Sequence, residues 1–88
     1  MAAERSVMYE PKNPKDLTHF LESNKEKYRE IWIVLQKKSY ADPQPVSFTE
    51  AVGLAIKQGL IDSRTKTLNE ERYAIRFTKR RNEKIGAV

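Results

Sequence analysis

Apolar residues return along this chain with two different periods, and each period predicts its own elements. Between Pro14 and Asn24, Leu17, Phe20 and Leu21 fall on one face at helical spacing. Asn13 predicts the start, because its side chain can cap the first turn. Pro14 suits the first helical position, and Asp16 lies at the favourable end of the helix dipole. Ser23 and Asn24 mark the end. Ahead of this helix, Ser6–Glu10 reads as a short first strand. The charged run KEKYRE, 25–30, is compatible with a helical extension or with an approach to a strand. IWIVL, 31–35, is mostly β-branched or aromatic and predicts a central strand from about Glu30 to Lys38, buried on both faces, with Trp32 in the core. Pro43 and Pro45 make 40–45 a loop.

A second helix is announced by Ser47-Phe48-Thr49-Glu50, a capping box in which Ser47 caps forward and Glu50 reaches back. Phe48, Val52, Ala55 and Ile56 form its apolar stripe, with Ala51 beside it. Gly59 fits the left-handed residue that closes the helix, and Leu60 the apolar residue that follows. Gly53, inside the helix, costs about 1 kcal/mol against alanine, which points to a close approach there. Residues Asp62 to Asn69 read as a polar turn. Beyond it the period changes to two: Tyr73, Ile75 and Phe77 point one way, and Arg72, Ala74, Arg76 and Thr78 the other. The expected fold is α+β, a two-layer sandwich in strand-helix-strand-helix-strand order. A small three-stranded sheet carries two or three helices on one face. The 88 residues make one domain, with 1–5 and 82–88 as tails.

Charge changes this picture most. Residues 1–63 balance nine Lys/Arg against nine Asp/Glu, whereas residues 64–88 hold eight against three, so the entire net charge of +5 lies in the last quarter of the chain. Such asymmetry favours an anionic partner, or else a solubilising tail. Other chemistry is sparse. There is no cysteine, His19 is the only histidine, and no ligand pair has metal-binding spacing. The three glycines are scattered and form no phosphate-cradling loop. No nucleophile–base pair stands out, so neither a catalytic residue nor a cofactor is expected. No apolar run nears the roughly 20 residues that span a bilayer, and the first residues lack the apolar core of a secretory signal. The expected location is the cytoplasm.

The stretch SFTEAVGLAIKQGLIDSRTKTLNEERYAIRFTKRR resembles the core of the YdeI/OmpD-associated family, some members of which are called bacteriocin-protection proteins. Phe48, Glu50 and Ala51 match the opening of a helix in that family. Gly59, Ile61 and Asp62 match its Gly-Trp-Ile-Asp motif, with Leu60 in the tryptophan position. Ser63, Arg64 and Lys66 match a basic turn. Arg72, Tyr73, Arg76, Phe77, Thr78, Arg80 and Arg81 match its Arg-Phe-Thr-Pro-Arg-Arg region, with Lys79 in the proline position. Upstream, WIVLQKKS at 32–39 is similar to an aromatic strand ending in two basic residues. Longer members continue into a Ser-x-Trp-Ser segment where this sequence reads NEKIGAV, so the resemblance is to a short form. It implies no established reaction.

Together these features predict a small non-enzymatic binding domain, a monomer or weak dimer. Arg64, Lys66, Arg72, Arg76, Thr78, Lys79, Arg80 and Arg81 would contact an anionic partner, with nucleic acid the leading candidate because paired guanidinium donors suit phosphate. Asp62, Gly59 and Tyr73 would orient or support that surface. Two alternatives stay open: a protein-docking or self-associating domain, and a small anionic-ligand binder or enzyme using Asp62 with the arginines.

Overall fold

Asn13 and Ser47 open the two helices. In a computed structural model, which describes residues 6–80, the Asn13 side chain accepts a hydrogen bond from the Asp16 backbone N–H at 2.7 Å, starting α1 (Pro14–Asn24). Ser47 Oγ accepts from the Glu50 N–H at 3.1 Å while the Glu50 carboxylate accepts from the Ser47 N–H at 3.0 Å, completing the capping box of α2 (Phe48–Lys57). The strands are β1 (Ser6–Tyr9), β2 (Glu30–Gln36), β3 (Leu60–Thr67) and β4 (Arg72–Lys79). They form one sheet in the order β1-β2-β4-β3. β1 runs parallel to β2, whereas β4 is antiparallel to both of its neighbours.

The α+β class therefore holds, but the three-stranded sheet and its strand-helix-strand-helix-strand order do not. The segment Asp62–Asn69, expected as a turn, is mostly β3, and the reversal is confined to Leu68–Glu71. There Asn69 Oδ1 accepts from the N–H groups of Glu71 and Arg72 at 2.8 and 2.9 Å. β3 escapes the hydrophobic code because it is an edge strand: after Leu60 every residue is exposed, on both faces. Its β-branched threonines and its ladder with β4 hold it extended.

The core is one-sided. Ile31, Ile33 and Leu35 of β2 and Ile75 and Phe77 of β4 meet Leu17 and Leu21 of α1 and Ala51 and Ala55 of α2, all essentially buried. α2 packs against α1 and β3. Tyr9 joins β1 to α1 by stacking on Phe20 at 4.0 Å and by donating its hydroxyl to Asp16 at 2.8 Å. Among the described residues, no helix covers the other face of the sheet. β2 is thus only partly sealed on its second side: Val34, facing Ala74, is buried there, whereas Trp32 lies half-buried on that helix-free face rather than in the core. The expected tails, 1–5 and 82–88, lie outside the described residues.

The two helical glycines part company here. Gly59 has φ +82°, and its N–H bonds the Ile56 carbonyl at 3.0 Å to close α2. A side chain there strains the backbone, so Gly59→Ala should cost about 1–2 kcal/mol. Gly53 allows no close approach: a Cβ built on it meets nothing within 4 Å. Gly53→Ala should instead stabilise by about 1 kcal/mol, through helix propensity alone. Thermal melts of the two variants should move in opposite directions; a drop for both would mean that Gly53 does pack closely.

Candidate functional site: the helix-free face of the sheet

Facing residues of neighbouring strands share a side, so the register assigns the helix-free face. Trp32 of β2 faces Arg76 of β4, Glu30 faces Thr78 and Gln36 faces Arg72. Met8 of β1 lies beside Trp32 and is half exposed. On β3, an irregularity between Asp62 and Arg64 inserts Ser63 as an extra residue. Regular pairing from Asp62 opposite Phe77 would have sent Arg64 and Lys66 to the helix side. The bulge reverses that parity, so Arg64 faces Arg76 and Lys66 faces Ala74. The Lys66 ammonium then lies 5.8 Å from the centre of the Trp32 ring.

Glu30 organises the middle of this face. One carboxylate oxygen accepts from the Trp32 indole N–H at 3.1 Å, and the other pairs with Arg76 at 3.2 Å. Arg76 also donates to Ser63 Oγ at 3.0 Å, and that hydroxyl returns a bond to the Arg76 carbonyl at 3.2 Å. These bonds from Arg76 and Trp32, with the nearby charge of Arg64, hold the Glu30 carboxyl below its ordinary pKa. Glu30 thus stays charged, and the cluster stays closed, somewhat further into acid than a free glutamate would allow. At the other end Arg72 pairs with Glu10 and Glu71, both at 3.0 Å, and stands 5.4 Å from the Tyr40 ring.

The residues expected to contact an anion therefore separate. Arg64, Lys66, Arg72, Arg76 and Thr78 share one face, but Arg72 and Arg76 are committed to carboxylates. Among the described residues, Arg64 and Lys66 are in no ion pair. Lys79 has the helix-side parity and pairs with Glu26, beside a shallow cleft of about 350 Å³ lined by Glu26, Lys27, Tyr28, Arg29, Thr78 and Lys79. Arg80 is exposed, and its backbone N–H bonds the Gly59 carbonyl at 2.9 Å; Arg81 lies outside the described residues. Asp62 faces Phe77 on the helix side, so it does not converge with Arg72 and Arg76. Tyr73 faces Leu35 and Thr67 on that side too, where burial raises its pKa.

Sequence reasoning missed Glu10, Glu26 and Glu30 as partners of these cations, and it placed Trp32 in the core. One signal was present. Glu30, Trp32 and Gln36 share a parity opposite to Ile31, Ile33 and Leu35, which marks a strand with one mixed face.

Among the described residues, no helix is long and apolar enough to cross a membrane. A family model described as a domain of unknown function, DUF8412, matches residues 9–85. No curated protein matches the chain, and no solved structure does. Nothing in these comparisons connects it with the YdeI/OmpD-associated family.

Proposed function

The chain belongs to the DUF8412 family of domains of unknown function, and from its geometry we propose a non-enzymatic binding domain that takes a polyanion, nucleic acid foremost, on the helix-free face of its sheet. The observation that carries this reading is the β3 bulge. It turns Arg64 and Lys66, the two cations of the face without carboxylate partners among the described residues, toward the same side as Trp32. Arg72 and Arg76 frame the surface, each held in position by its glutamates. Their committed charge supplies orientation more than attraction. Among the described residues the face gathers cations and an aromatic ring, with the carboxylates of Glu10 and Glu30 engaged by Arg72 and Arg76, which is the composition of a binding surface.

Binding of this kind is electrostatic and falls with salt. Two phosphate contacts on a single strand give a slope of about −1.4 in log affinity against log salt. The double variant Arg64→Glu/Lys66→Glu should lose that part of the slope and most of its affinity for a labelled oligonucleotide, measured by anisotropy at several salt concentrations. Both residues are exposed on an edge strand, so thermal melting should barely move. An unchanged affinity in the folded double variant sinks the proposal.

A further inference from the structure

Trp32 is the only tryptophan in the chain, and it stands near the middle of the sheet face that no helix covers. Its indole N–H is held by Glu30, which fixes the ring, while the cation above the ring belongs to a flexible lysine. An aromatic plane held at one edge and covered by a displaceable side chain is an arrangement that can accept a second flat ring.

We infer that the polyanion of the preceding section is a single-stranded nucleic acid, with one base stacked on Trp32 in the place of Lys66. The flanking phosphates lie on Arg64 and on the displaced Lys66 ammonium. This rests on the binding-face reading and adds the class of ligand. Two considerations favour a single strand over a duplex. The face has two cations outside ion pairs among the described residues, too few for binding by phosphate neutralisation alone, for which several contacts are the rule. In addition, a duplex keeps its base faces stacked inside, so Trp32 has nothing to meet unless a base is unstacked at an energetic cost. A single strand exposes base faces and phosphates together, and stacking one base raises affinity roughly 5- to 150-fold.

The test compares three probes of equal phosphate number against the intact chain: oligothymidylate, an abasic oligomer, and a duplex. Trp32 emission and anisotropy are read together. Oligothymidylate should quench Trp32 and bind at least about fivefold more tightly than the abasic oligomer. Trp32→Leu should bring oligothymidylate down to the abasic level. Equal affinity for all three probes with unchanged Trp32 emission overturns the stacking inference and leaves the polyanion reading standing. Absence of binding to any of them overturns both. If Trp32→Leu fails to fold, as its melt would reveal, the comparison of probes on the unaltered protein still decides.

Discussion

Phe77→Ala is expected to remove about 3–5 kcal/mol of stability, a large share of what a chain this size possesses. At roughly 0.05–0.15 kcal/mol per residue, 88 residues are worth about 4–13 kcal/mol in all. Phe77 is the largest fully buried side chain. It lies on β4, the strand flanked by β2 and β3, with Ile31 facing it across β2. The helices that cover it are only 11 and 10 residues long and have little freedom to collapse into the space a ring leaves. Loss of the aromatic area and the residual cavity therefore add rather than compensate. Urea denaturation should show the midpoint falling steeply, with part of the population unfolded in buffer. A loss below about 1.5 kcal/mol would mean that the helices do move in, and that the core is less tightly fitted than its burial implies.

Ala55→Leu is expected to destabilise by about 1–3 kcal/mol, in the direction opposite to Gly53→Ala two residues away on the same helix. Ala51 and Ala55 are the residues through which α2 approaches the rest of the core, and both are fully buried. Each is small because the space is already taken, so an added isobutyl group must push α2 outward or force off-rotamer neighbours. Calorimetric melting of the two variants side by side separates the faces of α2. A neutral Ala55→Leu would place slack where the burial shows none.

Much of this architecture could be read from local chemistry. Asn13 and Ser47 name the starts of both helices, Gly59 names the end of the second, and the alternation from Arg72 to Thr78 names the inner strand β4. Each of these signals is confined to neighbouring residues. β3 was invisible because, after Leu60 and Ile61, this exposed edge strand has no apolar residues to alternate. The bulge at Ser63 was invisible because nothing in Asp-Ser-Arg-Thr-Lys distinguishes a one-residue slip from regular pairing. Most of the ion pairs join residues far apart in the chain: Arg72 with Glu10 and Arg76 with Glu30 on the helix-free face, and Lys79 with Glu26 on the other. Counting charge along the sequence could not tell which cations were already neutralised. That distinction leaves Arg64 and Lys66, among the described residues, as the cations of the helix-free face outside any ion pair. Trp32 was misplaced for a related reason: its five-residue apolar run resembles a strand with two covered faces, and the parity it shares with Glu30 and Gln36 was outweighed by that run.

The sheet order has a consequence for how the chain reaches this state. β4 follows the other three strands in sequence, yet it sits between β2 and β3 and is the sole partner of β3. On the ribosome, β2 and β3 emerge with no strand to join them, and the apolar side of β2 waits under helices too short to persist without it. The contacts that join β2 to β3 are those of β4, spanning about forty residues back to β2. A chain truncated before Arg72 therefore carries most of the buried core residues but lacks the strand that joins β2 to β3, and is expected not to reach this fold.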